Sequence, residues 1–148
     1  MRRGLILGSA LILTACAEFV EVSPLVVIWG DHGGYVDEYA EREIAWRHAG
    51  VKIVIAGRCA SACTLYLHSP TACVLPTAEF MFHVAYAGVP LPGGVLGMGR
   101  SDSYGTKFLY DAYPAGVRAF IDTHGGMRRE PLQMTYAEAR AAGVPACL

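Results

Sequence analysis

From residue 24 onward, short apolar runs alternate with amphipathic stretches. "PLVVIWG" is unbroken and rich in β-branched residues, the pattern of a buried strand, and "DHGG" ends it. "YVDEYAEREIAWRHAG" spaces Tyr35, Tyr39, Ile44 and Trp46 among charges at roughly helical intervals, with Gly50 as the stop signal. "VKIVIAG" predicts a second strand, "SACTLYLHS" a short apolar helix closed by Pro70, and "ACVLP" and "EFMFHVAY" two further strands. Residues 88–105 are dominated by glycine and proline and predict a long loop, the kind that serves as a lid or binding segment. Within it, "GVLGMG" lacks the lysine and the strand-to-helix context of a phosphate-binding loop. "TKFLYDAYPAGVRAFIDTHGG" reads as helix with Pro114 as a kink or boundary, and "TYAEARAAGV" as a final short helix started by Thr135. Strands alternating with helices predict an α/β layered fold with parallel pairing, and Trp29 and Trp46 are expected in its core.

The first residues belong to a different pattern. "MRRGLILGSALILTAC" has two arginines, an apolar run too short to span a bilayer comfortably, and small residues ending at Cys16. It reads as an export signal, and Leu13-Thr14-Ala15-Cys16 resembles a bacterial lipobox, whose cysteine becomes the lipidated first residue. The expected organisation is a signal peptide over residues 1–16, a linker over 17–23 and a single domain over 24–148. The protein is then placed on the periplasmic side of a bacterial cell envelope, held to the membrane through its N-terminal lipid.

Export changes the meaning of the cysteines. With Cys16 lipidated, Cys59, Cys63, Cys73 and Cys147 remain, an even number in an oxidising compartment, and one or two disulfides are expected. Their spacing leaves all three pairings open. No CxxC pair favours zinc, and neither a metal nor a cofactor is predicted. With 148 residues, 53% hydrophobic, 17% charged and a net charge of -1, the chain suits a globular domain and offers no electrostatic reason to bind nucleic acid.

The chemistry concentrates in "GRCASACTLYL". Ser61 stands between two alanines at a helix start, Gly33-Gly34 follows a strand, and His83 ends another. Acyl transfer needs a nucleophilic hydroxyl, a base and two N–H donors for the oxyanion. Small neighbours leave room for a reacting carbonyl, and a glycine pair lets the backbone approach one closely. The plainer alternative is a tightly packed helix start, an ordinary turn and a core histidine beside Phe80 and Phe82.

The motifs "VVIWGDHGG", "GRCASACTLYL" and "AEFMFH", in that order over residues 25–85, resemble the Clp protease proteolytic subunit family, in particular its small exported bacterial members. The closing "MTYAEARAAGV" is similar to that family's C-terminal segment. The resemblance implies a crotonase-like layered fold of repeated β-β-α units, here reduced in size, and a homo-oligomer, because the family assembles into rings. It implies Ser61 as nucleophile, His83 as base, and the backbone N–H groups of Gly34 and Ala62 as the oxyanion hole. The family's aspartate has no counterpart: Pro131 falls near its place, with Glu130 as the nearest carboxylate and Asp122 behind it. The implied function is an exported serine hydrolase, a peptidase acting on a peptide or small acyl substrate. A catalytically silent binding or assembly module is the alternative. An acyl-thioester enzyme is a third, disfavoured by export.

Overall fold

The computed structural model describes residues 23–90 and 96–148. The export signal, Cys16 and nearly all of the linker lie outside the described residues. The protein is α/β. In chain order, β1 (Leu25–Asp31) leads to α1 (Val36–His48), β2 (Lys52–Ala60), a 3-10 helix (Ser61–His68), β3 (Ala72–Val74) and β4 (Glu79–Phe82). A hairpin of β5 (Tyr86–Pro90) and β6 (Leu96–Ser101) follows, then α2 (Ser103–Ala112), α3 (Ala115–Thr123), β7 (Leu132–Thr135) and α4 (Tyr136–Ala141).

The main sheet runs β1-β2-β4-β7, with β3 also paired to β2. Strands β1, β3 and β4 all lie parallel to β2, and β7 closes the sheet antiparallel to β4. The apolar residues of β2, β4 and β7 that point one way, Ile53, Ile55, Phe80, Phe82 and Met134, are fully buried. The 3-10 helix sits at the centre, against α1, α2 and strands β2, β3 and β4. Tyr66 on this helix packs on Tyr39 and Trp46 of α1, with ring centroids 5.5 and 5.1 Å apart. Arg42 donates to the Tyr66 hydroxyl (3.2 Å).

Several sequence expectations are corrected. Strand β1 is an edge strand: Ile28 is buried, but Leu25, Val27 and Trp29 face outward, with Trp29 73% exposed. An unbroken apolar run does not reveal which of its faces is covered. Trp46 is half-buried against Tyr66. The segment expected as a long loop forms the antiparallel β5–β6 hairpin, whose tip lies outside the described residues. "GVLGMG" lies partly outside the described residues and partly in β6. Strand β7, hidden after Pro131, carried no clear sequence signal. Pro114 is a boundary: α2 ends before it and α3 begins after it. Thr135 forms a full capping box with Glu138 at the start of α4.

Cys59, Cys63, Cys73 and Cys147 form two disulfides, the bonds of an oxidising compartment. Cys59–Cys63 links the end of β2 to the 3-10 helix. Cys73–Cys147 ties the later chain to β3, beside backbone hydrogen bonds from Val74 to Pro145 (2.9 Å) and from Cys147 to Val74 (3.0 Å). With sequence separations of 4 and 74, loop-closure entropy assigns them about 2 and about 4 kcal/mol.

Gly57 lies where the β1–β2 register shifts, and a Cβ there would come within 1.8 Å of the Trp29 carbonyl oxygen. Gly57→Ala therefore forces the two strands apart; a loss of about 3 kcal/mol is expected in urea unfolding, and an unchanged midpoint would contradict the close approach. A second expectation concerns alkaline pH. Burial raises the phenol pKa of Tyr113, and burial together with a hydrogen bond to Asp31 raises that of Tyr39. Both groups therefore hold their protons in the folded state after unfolded tyrosines, near pH 10, have released theirs. Their contribution is complete below about pH 10 and declines as pH rises beyond it, by up to about 1.4 kcal/mol per pH unit for each phenol. Ultraviolet titration should show both phenols silent until the chain unfolds.

Candidate functional site

The carboxyl ends of β1, β2 and β4 lie side by side in parallel register, with Asp31 beside Cys59 and Ala60 beside Met81. Three turns therefore emerge on one edge of the sheet: His32–Gly34 from β1, Ser61 from β2 and His83 from β4. In open α/β sheets this edge is where ligands bind. Here it opens into a cavity of about 940 Å3 whose lining includes Gly33, Gly34, Ser61 and His83.

Each turn has its own support. The Asp31 carboxylate accepts from the Gly33 amide (2.8 Å) and from the Tyr39 hydroxyl (2.6 Å), so one side chain closes the first turn and fastens it to α1. The Gly33 amide is thereby engaged, while the Gly34 amide makes no hydrogen bond among the described residues. Ser61 has φ 56°, the one positive φ among the described non-glycine residues. Such a conformation costs about 1–3 kcal/mol and persists only where its surroundings impose it. Three constraints impose it here. The Cys59–Cys63 disulfide brackets the residue. The Thr64 hydroxyl donates to the Ser61 carbonyl (2.6 Å), which leaves the buried Tyr113 hydroxyl as donor to Thr64 (2.6 Å). Gly33 packs directly against it: a Cβ on Gly33 would lie 2.6 Å from the Ser61 Cβ, 2.7 Å from the Ala60 carbonyl oxygen and 2.9 Å from the Ala62 nitrogen.

His83 is half-buried, and its Nδ1 lies 2.7 Å from the Val84 carbonyl oxygen. A carbonyl only accepts, so Nδ1 carries the proton and Nε2 carries the lone pair. The carbonyl is itself well placed, because Val84 donates to the Arg128 carbonyl (3.0 Å) and Ala85 accepts from the Asp102 amide (2.8 Å). The Ala85 amide donates to the Thr106 hydroxyl (2.9 Å). The Tyr86 ring lies against the imidazole, centroids 5.5 Å apart.

The structure thus brings Ser61, His83, Gly33 and Gly34 to one cavity. No hydrogen bond joins Ser61 to His83. Ala62 is fully buried, its amide beneath Gly33 and off the cavity lining. Glu130 is exposed, lies off the lining and makes no hydrogen bond to His83. Asp122 accepts from the Tyr110 hydroxyl (2.7 Å) on the exposed side of α3. His32 lines the cavity, whereas His68 and His124 hydrogen-bond the carbonyls of Ala112 (3.0 Å) and Phe120 (2.7 Å). Sequence reasoning missed Asp31, Tyr39, Thr64 and Tyr113. Of these only Asp31 left a signal, since Asp-x-Gly after a strand is a turn signature. The Val84 carbonyl leaves no signal in side-chain chemistry.

No protein-family model matches the chain, and no curated protein is significantly similar to it.

Gly33→Ala tests the packing of the two turns. Its Cβ would meet Ser61 and the backbone on both sides of it, and φ +81° disfavours a side chain there. The expected result is a folded protein with a displaced Ser61, seen as loss of reaction with a fluorophosphonate probe under conditions that label wild type. Undiminished labelling would show that the contact does not position Ser61.

Proposed function

We propose that the protein is an exported serine hydrolase of the Clp-protease-like kind, with a crotonase-like layered fold, acting on peptides or small acyl substrates. The observation that carries this is the conformation of Ser61. A strained strand-to-helix turn is the device that presents a nucleophilic hydroxyl clear of its own backbone. Here the strain is held by a disulfide, a buried hydroxyl pair and a side-chain-free contact at the rim of a cavity that also contains an imidazole.

In this proposal the Ser61 hydroxyl attacks the substrate carbonyl and His83 Nε2 takes its proton. The Gly34 amide, with that of Ala62 once the turn adjusts, donates to the developing oxyanion. The protonated imidazole returns the proton to the leaving group, and a water activated by the same Nε2 releases the acyl group. The Val84 carbonyl takes the orienting part of the family's aspartate: it fixes the tautomer and holds the ring. It carries no full negative charge to stabilise the imidazolium, so turnover is expected to be slower than with a complete triad. Glu130 has no part in these steps. The two disulfides and the lipobox at Cys16 support a place on the periplasmic side of a bacterial cell envelope, anchored by lipid. The resemblance adds a homo-oligomer.

A silent binding module has one observation in its favour, the lack of a hydrogen bond between Ser61 and His83. Catalytic hydrogen bonds are often long before substrate arrives, so activity decides between the two. Wild type should react with a fluorophosphonate and hydrolyse some member of a peptide and ester panel. Ser61→Ala should abolish both, with stability changed by less than about 2 kcal/mol. His83→Ala should lower the labelling rate by roughly 10²-fold or more. A folded wild type that neither labels nor hydrolyses would leave the module.

A further inference from the structure

Next to the main cavity is a smaller one of about 330 Å3, and the two share Ala40, Ile44 and Phe108 in their linings. That volume is at the small end for ligand pockets. Leu65, 3% exposed, adds a further apolar wall. The group that stands out in it is Glu43, on the inward side of α1 and only 4% exposed. Acidic side chains are rarely so buried unless their oxygens are hydrogen-bonded. Arg47 Nε approaches Glu43 Oε1 to 3.3 Å, yet that oxygen accepts no hydrogen bond among the described residues. The Arg47 side chain is itself 42% exposed, so the group that covers this oxygen lies at the surface. The neighbouring polar groups are engaged: Asp111 with Lys107 (2.5 Å) and His68 with the Ala112 carbonyl (3.0 Å). The smaller cavity is thus lined by a buried carboxylate with one oxygen that lacks a hydrogen bond among the described residues and is covered by Arg47, together with the apolar side chains of Ala40, Ile44, Leu65 and Phe108.

We infer that this smaller cavity is a side-chain subsite for a cation, the ammonium or guanidinium end of a lysine or arginine side chain in a bound peptide. The ligand displaces the Arg47 guanidinium into solvent, an N–H of the ligand donates to Glu43 Oε1 in its place, and its methylene stem lies along Leu65, Ile44 and Phe108. The approach has the same sign: among the described residues the main cavity is lined by Asp37, Glu41 and Asp102 and by no lysine or arginine. A neutral donor would also satisfy Oε1 but would gain nothing from that acidic approach. Cation binding stands on this geometry alone; the ligand's role as part of a substrate rests on the hydrolase proposal.

Benzamidine, a planar amidinium, is the probe, with benzyl alcohol as its neutral counterpart. Calorimetry should show saturable benzamidine binding to wild type and equally to Ser61→Ala, and none comparable for benzyl alcohol. Glu43→Gln should weaken binding by roughly tenfold or more. Arg47→Met removes the competing cation from an exposed position and should tighten binding severalfold. Absence of saturable binding to folded wild type overturns the subsite, as does equal affinity in both variants. Should Glu43→Gln fail to fold, Arg47→Met decides alone, and unchanged or weaker binding overturns the proposal. Fluorophosphonate labelling keeps the two claims apart: a protein that labels but ignores benzamidine loses the subsite and keeps the nucleophile, and one that binds benzamidine without labelling does the reverse.

Discussion

The contact on which the rest depends is between two turns with no side chain between them. Gly33 rests directly on the Ser61 Cβ and on the backbone of Ala60 and Ala62, at a spacing that leaves no room for a methyl group. Parallel pairing of β1 with β2 brings the two turns to the same edge of the sheet, and one oxygen of the Asp31 carboxylate keeps the first from drifting by accepting from both the Gly33 amide and the Tyr39 hydroxyl. Ser61 is thus confined from above by a neighbour and from below by Thr64 and Tyr113. Gly33 and Tyr113 are both distant from Ser61 in sequence, so the serine's conformation belongs to the whole fold.

That explains what was legible in advance. The apolar runs marked β1, β2, β3 and β4, and the 3.6-residue spacing with Gly50 marked α1, because each is a short-range pattern. Ser61, His83 and the glycine pair stood out through small neighbours and strand-end positions. What stayed hidden depends on distant partners. The exposure of Trp29 follows from β1 being the edge of the sheet, which its own residues do not record. The β5–β6 hairpin carries glycine and proline within its strands, and such a sequence looks like a loop. The Val84 carbonyl, which orients His83 where a carboxylate was expected, is a backbone group and has no letter of its own.

The core is small and unusually dependent on hydroxyl-bearing rings. Tyr39, Tyr66 and Tyr113 are all buried, and each makes a hydrogen bond, to Asp31, Arg42 and Thr64. A phenol fills space as phenylalanine does and adds a directed bond, so packing and positioning are served by the same residue. Arg42 lies over the Tyr39 ring, 4.9 Å from its centroid, while it donates to Tyr66. The apolar cluster and the polar scaffold of the cavity are therefore one body.

The two disulfides differ in when they can close. Cys59 and Cys63 meet as soon as a few residues have emerged, whereas Cys73 must wait for a partner 74 positions later, after the hairpin, α2, α3 and β7 have been made. On a chain synthesised from its N-terminus, the bracket around Ser61 is available early and the clasp that holds β3 comes late. Between those moments β2, the 3-10 helix and β4 can assemble while the fold is still open at β7. Mispairing has its widest opportunity in that interval. Early closure of the short bracket removes Cys59 and Cys63 from the choice before Cys147 arrives to pair with Cys73.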